Sequence, residues 1–327
     1  MIMWMRKICN LAIVLFVLTI SLNVEAQDPT FTQFYSNPLY LNPAFAGSNK
    51  CPRLNMNYRN EWPNLSGNYV TYSLSYDQYV KSLNGGIGIL VTHDQQGKGT
   101  INTTMAGLFY SYHLKVNRKF SVLFGARAAY FQKGIDASKL TFGDMIDPRK
   151  GFIYATNDQI GSPQKQFFNA SAGILGFSKK FFAGISAHHL NQPNESLITN
   201  GNSIQNMRIT AHAGTELKLG KASRYSKGSS IMPNIIFQYQ KGFMEMNIGT
   251  YVKQGNLTFG AWYRNRDAFI VSFGVNTKSF RLGYSYDITV SQLNNGVSGG
   301  SHEVSMGINL NCKEKPISYR SLSCPSF

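Results

Sequence analysis

Beyond an apolar stretch near its start, the chain has no run approaching the roughly 20 residues a helix needs to cross a bilayer, which excludes a helical membrane protein. Charge is sparse too, at 15% of residues, below the roughly 25% of an ordinary soluble domain. Acid is the scarcer sign: 16 Asp and Glu stand against 32 Lys and Arg. Cysteine occurs only at positions 9, 51, 312 and 324, and neither terminal segment holds a histidine. A Cys/His zinc site therefore has no ligand set to draw on. Catalytic signals are equally thin. His188-His189 and His93-Asp94 are the nearest thing to a base with an orienting carboxylate, but no nucleophile joins them, so neither a catalytic nor a cofactor site is read. Gly85-Gly86-Ile87-Gly88 lacks the third glycine of a dinucleotide loop and opens a strand rather than a helix, which makes it a turn feeding a tightly packed strand.

What is present begins with an export signal. Arg6 and Lys7 precede a mostly apolar run of about twelve residues, and Val24-Glu25-Ala26 suits a secretory peptidase, giving a leader over residues 1–26 and Gln27 as the new terminus. Cys9 leaves with the leader. From residue 53 to 311, apolar and polar residues then alternate in segments of about ten. Leu54, Met56 and Tyr58 oppose Asn55, Asn57 and Arg59; Val70, Tyr72, Leu74 and Tyr76 oppose Thr71, Ser73, Ser75 and Asp77. A half-buried soluble sheet has the same period of two. The number of such segments, their low charge and the aromatics near their ends (Tyr58, Trp62, Tyr112, Tyr130, Trp262, Tyr284 and Tyr286) favour an all-β transmembrane antiparallel barrel with aromatic girdles.

The spacing predicts fourteen strands: 53–61, 68–77, 86–93, 102–113, 120–132, 167–177, 181–189, 207–219, 232–240, 243–252, 255–264, 268–276, 279–287 and 302–311. An even number lets a bacterial barrel close with no edge in lipid. The long connections 133–166, 190–206 and 288–301 all fall on one side, and most turns on the other are short, as expected for outer loops and periplasmic turns. Four regions follow: leader 1–26, irregular segment 27–52, barrel 53–311 and periplasmic tail 312–327.

Removing the leader takes the formal net charge from +16 to +15. Nucleic acid is excluded as the acidic partner of an exported barrel, leaving outer-membrane lipid, acidic sugars or an acidic protein. Cys51, Cys312 and Cys324 are an odd set in an oxidising compartment, so one disulfide is expected at the inner rim. Cys312–Cys324 is the first candidate pairing and Cys51–Cys324 the alternative.

Two terminal stretches carry a family resemblance. Gln27-Asp28-Pro29-Thr30-Phe31-Thr32-Gln33-Phe34-Tyr35 with Asn37-Pro38-Leu39-Tyr40-Leu41-Asn42-Pro43-Ala44-Phe45-Ala46-Gly47-Ser48 resembles the mature start of PorP/SprF proteins. Leu282-Gly283-Tyr284-Ser285-Tyr286-Asp287, Gly300-Ser301-His302-Glu303 and the closing Cys312 and Cys324-Pro325-Ser326-Phe327 match at the other end, and residues 51–63 favour the SprF-like branch. The resemblance implies an outer-membrane barrel of a Bacteroidota bacterium serving type IX secretion. Its implied partners are a large secreted protein such as a gliding adhesin, bound through a C-terminal signal domain, and other secretion components at the periplasmic face.

The residues themselves say where such work could occur. Phe31, Phe34, Tyr35, Tyr40 and Phe45 lie in a segment too irregular for a strand and too aromatic to hang in water, so it is expected to plug the lumen or pack on the inner rim. In the loop 133–166, Leu140, Phe142, Asp144, Phe152 and Tyr154 mix apolar anchors with polar residues in the manner of an interface centre. The competing reading is a general diffusion porin. An aromatic amino-terminal segment and a cysteine-bearing tail would both obstruct a pore, so the secretion reading is preferred.

Overall fold

The computed structural model describes residues 28–49, 51–156, 163–178, 180–198, 201–219, 228–291 and 295–310. The leader, the tail, Cys312 and Cys324 lie outside these described residues.

Fourteen antiparallel strands form one closed barrel. In order they are Arg53–Glu61, Tyr69–Val80, Gly85–Gln96, Ile101–Lys115, Phe120–Ile135, Gln164–Ser178, Phe181–His188, Arg208–Thr215 with its continuation Leu217–Leu219, Ser229–Gln240, Phe243–Gln254, Leu257–Arg264, Ala268–Asn276, Phe280–Thr289 and Ser301–Asn309. Each pairs with the next along the chain. The first strand also pairs with the last, Arg53 opposite Asn309 and Glu61 opposite Ser301, which closes the ring. Closure matters because an unpaired strand edge would leave backbone N–H and C=O groups in hydrocarbon, at a cost of several kcal/mol each.

The burial pattern is that of a soluble sheet turned inside out. In the first strand Arg53, Asn55, Asn57 and Arg59 are buried while Met56 and Tyr58 are exposed. The second repeats it, with Thr71, Ser73, Ser75 and Asp77 inside and Tyr72 and Leu74 outside. Exposed side chains elsewhere on the wall include Ile89, Leu108, Phe124, Ile174, Ile185, Ile248, Phe259, Val271 and Val304. An apolar outer surface of this extent has lipid as its solvent.

Both ends of the described barrel reach one rim, called here the terminal rim, which has mostly short turns. The opposite rim carries the connections 62–68, 136–163, 189–207 and 290–300. Several strands outrun their sequence-predicted limits. The fifth continues to Ile135 and the sixth begins at Gln164, so the long loop narrows to 136–163. The hydrophobic period marks where a strand is buried in membrane, whereas the backbone ladder continues beyond it into water.

One sequence expectation is corrected. Trp262 is no girdle residue: it is only 3% exposed, faces the lumen and packs on Tyr251 at 5.4 Å. Trp262 and Tyr263 are adjacent aromatics, so alternation alone did not reveal which one points inward. The two histidine pairs, from which the sequence reads no site, lie apart. His188 and His189 are buried inside the barrel, while His93 lies on the outer face of the third strand, where its Nδ1 is 2.8 Å from Thr104 Oγ1.

Candidate functional site

The lumen is where the chain departs from a plain barrel. Residues 28–49 enter it near the long-loop rim, cross it and reach the terminal rim just before the first strand. The proline and asparagine steps set the local path. Pro38 and Pro43 each open a one-turn helix, Pro38–Leu41 and Pro43–Phe45, at a position where the missing N–H costs nothing. Asn42 caps the second of these by accepting from the Ala44 N–H at 2.9 Å. Gly47 then turns the chain with φ of +62°.

The aromatics of this segment face the barrel wall. Phe34 packs on Trp262 with centroids 5.0 Å apart, Tyr35 meets Phe182 edge-on at 5.5 Å and Phe45 stacks on His212 at 5.4 Å. Phe31 meets Tyr40 edge-on at 5.1 Å within the segment. Phe31, Phe34, Tyr35 and Phe45 are each less than 5% exposed, and Tyr40 is half-buried. The five are thus brought together inside the barrel.

Polar contacts hold the same segment at three heights. Two residues in from the long-loop end of the last strand, Glu303 accepts the Thr32 N–H at 2.6 Å, the Thr32 hydroxyl at 2.9 Å and the Gln33 N–H at 3.3 Å. Arg59 on the adjacent first strand lies 3.7 Å from Glu303 and 3.0 Å from Asp287, with all three side chains at most 2% exposed. At the terminal rim Asp77 accepts the Gly47 N–H at 2.8 Å and pairs with Arg53 at 2.6 Å, and Arg53 donates to the Phe45 carbonyl at 3.0 Å.

Near the long-loop rim Asp28 lies 2.6 Å from His189 and 3.2 Å from Arg208, which also covers the Tyr40 ring. Burial works to raise the Asp28 carboxyl, but His189 and Arg208 outweigh it and hold it far below the usual aspartate range. A lowered carboxylate stabilises the fold above its unfolded value near 4 and loses that contribution as pH falls. Replacing Asp28 with Asn should therefore lower the unfolding free energy at neutral pH by about 2 kcal/mol, for a lost charged hydrogen bond. The gap to the parent should close as pH drops below about 4. Chemical unfolding followed across pH tests this, and a gap that stays constant through that range would show that ionised Asp28 contributes nothing.

Sequence reasoning missed the features of the wall that receive the segment. A Cβ at Gly125 would lie 2.2 Å from the Ala44 nitrogen, one at Gly173 would lie 2.1 Å from Asn42 Oδ1, and one at Gly86 would lie 2.1 Å from the Ala46 carbonyl oxygen. Gly86, read from sequence as part of a turn, is thus a notch in the third strand. The available signal was glycine at inward positions of strands otherwise lined with polar side chains.

The loop residues sit apart from the lumen. A hairpin pairs Ile146–Asp147 with Gly151–Phe152, and Asp147 accepts from the Arg149 and Lys150 N–H groups and the Tyr154 hydroxyl. Asp144 accepts from the Thr156 hydroxyl at 3.0 Å. Phe152, Ile153 and Tyr154 are each more than half exposed, while Leu140 and Phe142 are half-buried. Cys51 is disulfide-bonded at the terminal rim.

The model of the family described as type IX secretion system membrane protein PorP/SprF matches residues 23–308. A search of curated proteins found no match. Among solved structures, the chain is similar to the outer membrane protein Omp33 of Acinetobacter baumannii, with 9% identity, 80% of this chain and 99% of that one covered, and a TM-score of 0.41. It is also similar to a monoaromatic hydrocarbon channel, the TodX deltaS2S3 mutant, with 11% identity, coverages of 82% and 92%, and a TM-score of 0.43.

Proposed function

Since the chain belongs to the PorP/SprF family of type IX secretion system membrane proteins, we propose that this outer-membrane barrel assists export or surface anchoring of a large secreted protein by binding its C-terminal signal domain while its own lumen stays closed. The observation that carries this reading is the occupied lumen. Residues 28–49 hydrogen-bond to inward side chains at three heights and fit backbone-deep into glycine notches, an arrangement that a diffusion pore has no use for. A protein that anchors cargo needs a rigid frame and an exposed contact surface instead.

That surface is the loop 136–163, placed outside the cell with the other long loops. Phe152, Ile153 and Tyr154 form an exposed apolar tip braced from beneath by Asp147. Such a tip matches the aromatic anchors that dominate binding energy at interfaces. The terminal rim then faces the periplasm and other secretion components, with a disulfide between two of Cys51, Cys312 and Cys324 shaping it.

Exchanging residues 137–155 for a short Gly-Ser turn in the native host should leave barrel folding intact, as judged by heat-modifiable gel migration, and release the secreted partner from the cell surface. Phe152→Ala with Tyr154→Ala should lower surface retention at least tenfold, since two hot-spot aromatics carry several kcal/mol. Full surface display by both variants would remove the loop from the proposal.

A further inference from the structure

The buried arginines of the lumen each stand against a carboxylate, with one exception. Arg53 pairs with Asp77 at 2.6 Å, Arg59 with Asp287 at 3.0 Å, Arg208 with Asp28 at 3.2 Å and Arg264 with Asp267 at 3.1 Å. Arg127 on the fifth strand is as deeply enclosed, at 4% exposed, and has no carboxylate in salt-bridge reach among the described residues. Its one hydrogen bond there runs from Nη2 to the neutral Asn169 Oδ1 at 3.5 Å, and its Nε makes none. Asp28, in the same sector, is already engaged by His189, Arg208 and Gln205. A guanidinium cannot shed its proton. Arg127 therefore keeps a full charge beside an apolar cluster that includes Phe109 opposite it and Ala129 and Phe131 further along its strand. An enclosed cation is costly without a counter-charge.

Unmatched donors continue along the wall. Arg127 lies opposite Ser171 on the sixth strand, Ala172 opposite Ala187 brings Ser171 beside His188 at the end of the seventh, and His188 lies opposite Arg208 on the eighth. All four are buried on the inner face. Ser171 Oγ and Arg208 Nε, like Arg127 Nε, are shielded from solvent and have no hydrogen-bond partner among the described residues. The arginine groups can only donate, and the hydroxyl rotates to donate as well. His188 Nδ1 is unmatched too, but its Nε2 faces the Leu41 carbonyl at 3.3 Å and so carries the proton of a neutral ring, leaving Nδ1 a lone pair. That lone pair favours the Arg127–Ser171 end of the row for an anion.

We propose that Arg127 and Ser171 bind a small inorganic anion, chloride in its ordinary setting, which supplies the missing counter-charge beside residues 28–49. Because the donor atoms are fully shielded, a phosphate or carboxylate tethered to a lipid or a protein cannot reach them, whereas a bare ion is enclosed as the segment seats. A water molecule would accept from the same donors but bring no charge. The inference needs only the closed barrel with its seated segment and is independent of what the long loops bind.

The test uses the full mature barrel, purified in detergent with gluconate as its anion and titrated with chloride at fixed ionic strength. At a urea concentration inside the unfolding transition, the folded-to-unfolded ratio should climb with chloride, approaching about a tenfold rise per tenfold rise in chloride once the site fills, since the ion leaves on unfolding. Arg127→Met removes the charge at similar volume and should abolish that response. Lys119→Gln, which removes an exposed cation at the terminal rim, should retain it. Bromide-exchanged crystals of the unaltered protein give a measure that needs no variant: an anomalous peak is expected between Arg127 Nε and Ser171 Oγ. Superimposable chloride and gluconate curves would overturn the proposal, as would an undiminished response in Arg127→Met or an ordered water where bromide is expected. A bromide peak without any chloride dependence would mark an adventitious ion only and overturn it equally.

Discussion

Planar bilayers containing the intact mature protein are expected to carry no steady ionic current, and Gly125→Leu is expected to produce stable openings. Gly125 faces the lumen where the Pro43–Ala44 backbone crosses it, and even a Cβ there would fall 2.2 Å from the Ala44 nitrogen. A leucine side chain and this stretch of backbone cannot occupy the same space. The wall is a closed ladder of strand pairs, Gly125 opposite Gly173 among them, and yields less readily than a segment held by side chains. Overpacking of this kind costs about 1–3 kcal/mol, comparable to one or two of the hydrogen bonds that hold residues 28–49. Deleting 28–49 outright should give the largest conductance, since the remaining inner face is lined by polar residues such as Asn55, Asn57, Ser73 and Ser75. Gel migration separates an opened barrel from an unfolded one. Large stable currents from the unaltered protein would sink the closed-lumen reading and favour the porin.

Arg59→Ala should destabilise the barrel by about 3–5 kcal/mol, the usual penalty when one member of a buried ion pair is removed. The guanidinium stands 3.0 Å from Asp287, 3.4 Å from Glu61 and 3.7 Å from Glu303. Without it, Asp287 and Glu303 remain buried with less compensating charge, and Glu303 loses support while still accepting from Thr32 and Gln33. Arg59→Lys keeps the charge but loses the planar fork, so an intermediate loss is expected. Urea unfolding of the detergent-solubilised barrel measures both. The penalty depends on the lumen being filled. In a barrel lacking 28–49, water reaches the network and the same Arg59→Ala change should cost only about 1 kcal/mol or less. Equal penalties in the two backgrounds would show that the segment does not desolvate the network.

Much of the architecture could be read along the chain because a strand between lipid and lumen records its environment at every second residue. Met56 and Tyr58 against Asn57 and Arg59 establish both the strand and its faces, and fourteen such records with alternating connection lengths establish the barrel. The aromatic segment was legible as something that could not remain in water. Its seat was not. The contact between Thr32 and Glu303 joins residues 271 positions apart, and neither the threonine nor the glutamate carries a local pattern that names the other.

The sequence by itself determined the closed antiparallel barrel, its fourteen strands and its membership in a secretion family, because each is written in local periodicity, motif or connection length. Only the tertiary structure decided that Trp262 points inward, that Gly86, Gly125 and Gly173 are notches, and that Arg59, Asp287 and Glu303 form one buried network under residues 28–49. The physical reason is that these depend on which side chains meet across an enclosed volume, and that is set by strand register around a closed ring and by the path of an irregular segment through it. Neither quantity has a period for a sequence to display.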